Sequence, residues 1–130
     1  MILDSSAILA VLFEEDGHEQ IVDAMSDADV LAIGAPTLVE TGLVAIRSFD
    51  LHGKALLAEF LSRWSVVVTP FDNRHWQVAG DAFIRFGKGR HPARLNFGDC
   101  LTYATARVSD LPLLFVGEDF AKTDVIPALG

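Results

Sequence analysis

Three things are scarce in this 130-residue chain: cysteine, basic charge and long apolar runs. Cys100 is the single cysteine, so no internal disulfide can form, which suits a reducing compartment. No apolar stretch approaches the ~18 residues that a membrane span needs. The apolar opening, Met1 to Phe13, has no basic leading segment and carries Asp4 inside it, then Glu14, Glu15 and Asp16, which argues against an export signal. Ten lysines and arginines face eighteen acids, a net charge of −8. Alone, that balance argues against a sequence-independent nucleic-acid binder, which displaces phosphate counterions with basic surface. Disorder is excluded by a 51% hydrophobic content and scattered acids. The expectation is one cytoplasmic domain over residues 1–130, with no membrane partner.

Apolar patterning supplies the elements. Met1 to Leu3 reads as a buried strand running into a helix over Ser5 to Phe13. A second helix is predicted over His18 to Ser26, with Ile21, Val22 and Met25 on one face. Val30 to Gly34 is a second strand, and Ala35-Pro36-Thr37 opens a helix to about Phe49. Leu56, Leu57, Phe60, Leu61 and Trp64 recur at helical steps over Gly53 to Trp64. Val66 to Thr69, β-branched and ended by Pro70, is a third strand. Helical spacing returns over Asp72 to Phe86 and from Asn96 or Gly98 to Ser109, separated by the loop Gly87 to Leu95. Leu113 to Val116 is a fourth strand, and Val125 and Ile126 suggest a short fifth. Short, wholly apolar strands alternating with amphipathic helices predict an α/β fold, a central parallel sheet of four or five strands covered on both faces.

In such sheets ligands gather beyond the carboxyl ends of the strands. Asp4 directly follows the first strand, and Asp119 lies just beyond the fourth. Glu40 and Asp99 fall in the first turns of helices whose N-termini share that edge. Each acid also has a plainer reading. Thr37-x-x-Glu40 and Asn96-x-x-Asp99 have capping-box form, Asp4 can cap its helix, and Asp119 can sit in a Gly-led turn. The functional case is the set: clustered carboxylates repel in a partly dry cleft, and a divalent cation removes that cost. Oxygen-only ligands favour Mg2+, with Mn2+ as substitute. His18, His52, His75 and His91 show no zinc-like spacing.

Around the acids, Ser6 and Thr37 are candidates to hydrogen-bond a carboxylate or nearby water, and Asn96 to orient Asp99; capping explains each equally. The basic residues are unevenly placed. Arg85, Lys88, Arg90, His91 and Arg94 fall within ten residues, with no acid between Asp81 and Asp99. Lys88, Arg90 and Arg94 are therefore candidate phosphate contacts, against the alternative of a solvated loop. The tryptophans and phenylalanines read mostly as core, and Cys100 as a packed thiol.

The segments MILDSSAILAVLFEE, PTLVE, GRHPARLNFGDCLTYATA and LLFVGEDFAKTD resemble, in order and spacing, the PIN-domain ribonucleases of the VapC toxin family. That resemblance implies a three-layer α/β/α PIN-like fold and a metal-dependent endoribonuclease with Asp4, Glu40, Asp99 and Asp119 as its acids. Asp4 and Asp99 are the first choice as metal ligands, with Asp119 next and Glu40 assisting. Glu118 competes with Asp119, which holds the family's DF position. The resemblance further implies an RNA substrate, a homodimer, and a VapB-like antitoxin that places a basic side chain among the carboxylates. Two rivals stand beside it. One is a receiver-like Mg2+-binding signalling module, which needs an acidic pair after the first strand, where this chain has Ser5 and Ser6. The other is a catalytically silent PIN-like binding protein, against which the complete acidic set argues.

Overall fold

A computed structural model describes residues 1–129. Four strands, β1 (Ile2–Leu3), β2 (Ala32–Gly34), β3 (Val67–Thr69) and β4 (Leu113–Leu114), form one sheet in the order β3-β2-β1-β4. Every pairing is parallel, with Ile2 opposite Ala32 and Leu113. Five helices carry the crossovers: α1 (Ser5–Leu12), α2 (His18–Ser26), α3 (Ala35–Arg63), α4 (Asn73–Phe86) and α5 (Phe97–Ser109). A single 3-10 turn, Phe120–Lys122, follows β4.

The apolar strands are explained by two cores, one on each face. Successive strand residues point to opposite sides. Ile2, Ala32 and Leu113 face α4 and α5, packing with Ala82, Phe86, Tyr103, Ala106 and Phe120. Leu3, Ile33 and Leu114 face the other way, onto Ile8, Ile21, Met25, Leu57 and Phe60. Each fully buried Leu or Ile contributes about 1.5–3 kcal/mol. This is the three-layer α/β/α architecture expected from the alternation.

The helix α3 is two helical segments meeting at Asp50 (φ 52°, ψ −135°). A Cβ on Gly53 would overlap the Ala45 carbonyl, so the bend closes only with glycine there. The break falls between the two helices read from the sequence.

Four local expectations need correction. The third strand lies at the sheet edge rather than under cover: Val67 and Val68 are 53% and 45% exposed. Its β-branched composition signals a strand but not burial. The fourth strand stops at Leu114, and the anticipated fifth is one parallel bridge, Leu113 to Pro127. The Leu113 amide donates to the Ile126 carbonyl (2.8 Å) and the Ala128 amide to the Leu113 carbonyl (2.9 Å). Leu113 bonds the residues on either side of Pro127, whose own nitrogen faces away from β4, so proline is tolerated there. Thr37 is not a helix cap: α3 begins after Gly34, which leaves Thr37 inside the first turn and Glu40 in the second. Several aromatics are not core, since Trp76 is 61% and Phe97 80% exposed.

Candidate active site

Strand β1 delivers Asp4 to the carboxyl edge, and its amide extends the ladder by donating to the Leu114 carbonyl (3.0 Å). Asp4 then caps α1. Its Oδ2 accepts from the Ser6 amide (3.1 Å) and the Ser6 hydroxyl (2.6 Å). The same Ser6 Oγ accepts from the Val116 amide (3.0 Å), tying the segment after β4 to Asp4. From α5, Thr102 donates to Asp4 Oδ1 (2.8 Å), and Thr37 of α3 lies 3.1 Å from the Thr102 hydroxyl. A hydroxyl has one proton, so with Thr102 donating to Asp4, Thr37 donates to Thr102. Asp4, Thr37 and Thr102 are all buried. The capping and site readings of Asp4 are thus one arrangement: capping aims its carboxylate.

Glu40 is held by Ser5, whose hydroxyl donates to Oε1 (3.2 Å). Its other oxygen lies against Gly98 near the start of α5, where a Cβ would collide with it. Asp99 sits at the third position of α5 in a reciprocal capping box. Its amide donates to Asn96 Oδ1 (2.9 Å), and its Oδ2 accepts from the Asn96 amide (3.1 Å). Asp119 leads the 3-10 turn, just after Gly117 turns the chain at φ +104°.

Asp4, Glu40, Asp99 and Asp119 line one cleft of ≈ 410 Å3, together with Ser5, Ser6, Asn96 and Glu118. Spread over more than a hundred residues of sequence, they meet as the sheet edge required. Lys88, Arg90 and Arg94 do not line it. They lie in the loop that a bridge from Gly87 to Leu95 closes just before Asn96, with the Arg90 guanidinium 5.7 Å from the Phe83 ring centre. Electrostatics records the crowding. The Asp99 carboxyl is pushed up to about 6, by burial first and then by the charges of Asp4, Asp119 and Glu40. The Glu40 carboxyl is also raised, by burial and by Asp4, against the pull of the Ser5 hydrogen bond.

The donor set fits a hard divalent ion. It is all oxygen, and among the described residues Asp99 Oδ1, Glu40 Oε2 and both Asp119 oxygens accept no protein hydrogen bond. Among the described residues, no three acidic, histidine or cysteine side chains stand close enough, as placed, to hold a metal ion between them. An open set suits Mg2+, which is bound through one or two carboxylates and retains several waters.

Thr102, Ser5 and Gly98 were not singled out from the sequence. A threonine on the buried face of α5 was the available signal for the first. Ser5 and Gly98 depend on a contact with Glu40 that only the fold creates. Beside the cleft, an apolar groove of ≈ 670 Å3 runs along Pro36, Val39, Leu43, Val44, Phe97 and Leu101, with Glu40 at its border.

The sequence profile of the PIN domain matches residues 1–126. A "Ribonuclease VapC" of Mycolicibacterium smegmatis is 41% identical over 125 residues, covering 96% of this chain and 97% of that one. "Ribonuclease VapC28" of Mycobacterium tuberculosis is 42% identical, covering 99% and 98%. In structure, the chain is similar to Mycobacterium tuberculosis VapC20, described as a sarcin-ricin loop cleaving toxin. The TM-score is 0.77 at 17% identity, over 96% of this chain and 95% of that one. It is also similar to the DNA-bound VapBC of Salmonella typhimurium, with TM-score 0.74 at 18% identity, over 97% and 93%. At those identities the structural likeness establishes the fold.

Proposed function

The chain belongs to the PIN-domain family and, within it, to the VapC ribonucleases, and from that premise we propose that it is the endoribonuclease toxin of a toxin–antitoxin pair, cutting RNA with Mg2+ or, in its place, Mn2+. The observation that carries the reading is the single cleft in which four carboxylates from distant segments meet, with Asp99 raised by burial first and then by the charges of the other three. Receiver-like signalling lacks its acidic pair after β1, where Ser5 and Ser6 stand, and silent binding leaves the complete acidic set, inside a ribonuclease family, without a use.

The reaction is hydrolysis: water attacks phosphorus, one P–O bond breaks, and the departing oxygen takes up a proton. A bound divalent ion supplies a more acidic water and offsets negative charge on the phosphate oxygens. The chain's own groups do the rest. Asp4, fixed from both sides by Ser6 and Thr102, and Asp99, fixed by Asn96, would hold the ion. Asp119, in preference to Glu118, would be the next residue to hold it. Glu40 would help hold a second ion or orient the attacking water. Ser6 and Asn96 act by aiming carboxylates, and Thr37 acts one bond further back, through Thr102.

The antitoxin is a VapB-like protein whose apolar segment covers the groove of Val39, Leu43 and Phe97 and whose basic side chain enters the acidic cleft. Lys88, Arg90 and Arg94 contact RNA outside the cleft, and the working unit is a homodimer. Among the described residues, no helix is long and apolar enough to cross a membrane.

A short RNA incubated with the protein and Mn2+ or Mg2+ tests the reading. Cleavage stops with excess chelator and returns when metal is restored. Cleavage that continues undiminished in chelator contradicts it.

A further inference from the structure

Resting on the nuclease reading, we infer that Asp124 is a positioning residue for Asp119: it clamps the segment bearing Asp119 onto the helix bearing Asp99. Asp119 receives no side-chain cap bond, so its position depends on its backbone. That backbone is a short turn, closed by the Lys122 amide on the Asp119 carbonyl (3.3 Å) and by the Thr123 amide (3.0 Å) and hydroxyl (2.7 Å) on the Phe120 carbonyl. One anchor is Phe120, buried in the core against Phe115, with ring centres 5.4 Å apart. The other is Asp124.

The Asp124 carboxylate gathers donors from two helices. Oδ1 accepts from the Tyr103 hydroxyl (2.6 Å), and Oδ2 accepts from Arg85 Nη2 (3.2 Å). Arg107 Nη1 lies 3.7 Å from Oδ2 and donates to the Asp124 carbonyl (3.4 Å). Tyr103 is 2% exposed and stands one helical turn beyond Asp99 on α5. Partial burial works to raise the Asp124 carboxyl, yet Tyr103, Arg107 and Arg85 together hold it below its ordinary value. The Tyr103 hydroxyl is pushed up to about 12, by burial and by Asp124, so it remains a donor. Asp99 and Asp119 are thereby referenced to one rigid helix. A plain brace for the chain's tail would lower stability without changing how the cleft holds an ion.

Mn2+ titration of the metal-free protein, read from free Mn2+ by electron paramagnetic resonance, separates these roles. Asp124→Asn keeps the shape and removes the charge, while Tyr103→Phe removes only the hydroxyl and preserves the core. Thermal melts in chelator identify folded variants. Each substitution weakens Mn2+ affinity about 10-fold, as loss of an outer partner does at metal sites. In an Asp119→Asn background, Asp124→Asn costs less than about two-fold more, because the two act through one group. Two results overturn the inference: folded variants with affinity within about two-fold of wild type, or the same loss with Asp119 already removed. A wild type that binds no Mn2+ and cuts no RNA overturns the nuclease reading and this inference together. A wild type that does both, with unaffected variants, overturns this inference alone.

Discussion

Asp99 carries the largest electrostatic cost in the cleft. Its carboxyl stands at about 6 in the folded, metal-free chain against an ordinary 3.8, burial being the first cause and the neighbouring acids the next. The folded state therefore holds this proton more tightly than the unfolded state. Ionising Asp99 costs stability as pH rises from about 4 through about 6, and the cost is fully present above that. Asp99→Asn, which can still accept from the Asn96 amide, should raise the metal-free protein's stability at pH 7.5. The gain is about 1 kcal/mol, discounted because the carboxylate is partly in water, and chemical denaturation measures it. Protons and metal compete for the same oxygens, so Mn2+ affinity should climb as pH passes about 6; a titration at pH 5, 6 and 7 reads this. Gly98→Ala tests Glu40 without touching its carboxylate. The new Cβ displaces a flexible side-chain end while giving α5 a better helix former, so the melting temperature holds or rises and cleavage falls about 10-fold. At this scale the acids were legible because Asp4 and Asp119 follow apolar strands and Glu40 and Asp99 lie near the starts of helices that share their edge. Ser5, Gly98 and Thr102 were not, because their partners lie far away in sequence.

Elements explain why the acids point inward. Asp4 caps α1 and Asp99 closes the capping box that Asn96 opens on α5, and both arrangements fix a carboxylate beside a helix N-terminus where the dipole favours negative charge. Sequence reasoning set capping against function, but at these two helices the cap is what aims the acid. Thr37 and Glu40 show the limit of pattern matching. The spacing suits a capping box, yet Pro36 and the preceding Gly34 start the helix earlier and send Thr37 into the core. There Thr37 meets Thr102, and α3, α5 and the end of β1 become one hydroxyl-linked unit behind Asp4. Thr102→Val breaks it, leaving buried polar atoms unpaired at a cost of about 1–3 kcal/mol. Cleavage should fall about 10-fold in the folded fraction, with Thr102→Ser restoring both. Equal cleavage by valine and threonine at this position would remove Thr102 from the account.

At the scale of the whole molecule, the net charge of −8 and the function pull in opposite directions. Four of the acids gather in one cleft and, on the proposed function, belong with cations, so the deficit elsewhere is smaller than the total suggests. The alternation of apolar runs gave away the parallel sheet, since both faces of the strands are covered. It could not separate a covered strand from the exposed edge strand β3, nor foresee that the tail would pair through one bridge at Pro127. The exposed Trp76 was misread for a related reason: helical period marks a face but not what covers it. Charge reversal at Lys88 and Arg90 should weaken RNA binding and flatten its salt dependence, by about 0.7 in log–log slope for each RNA phosphate that is no longer neutralised. The central claim is that the four carboxylates act as one ion-holding centre that cuts RNA. Its most direct test is the cleavage rate of one RNA by Asp99→Asn and by wild type, at pH 7.5 with Mn2+. The account predicts at least about a 100-fold loss in a variant no less stable than its parent. Cleavage at the wild-type rate by folded Asp99→Asn would contradict it.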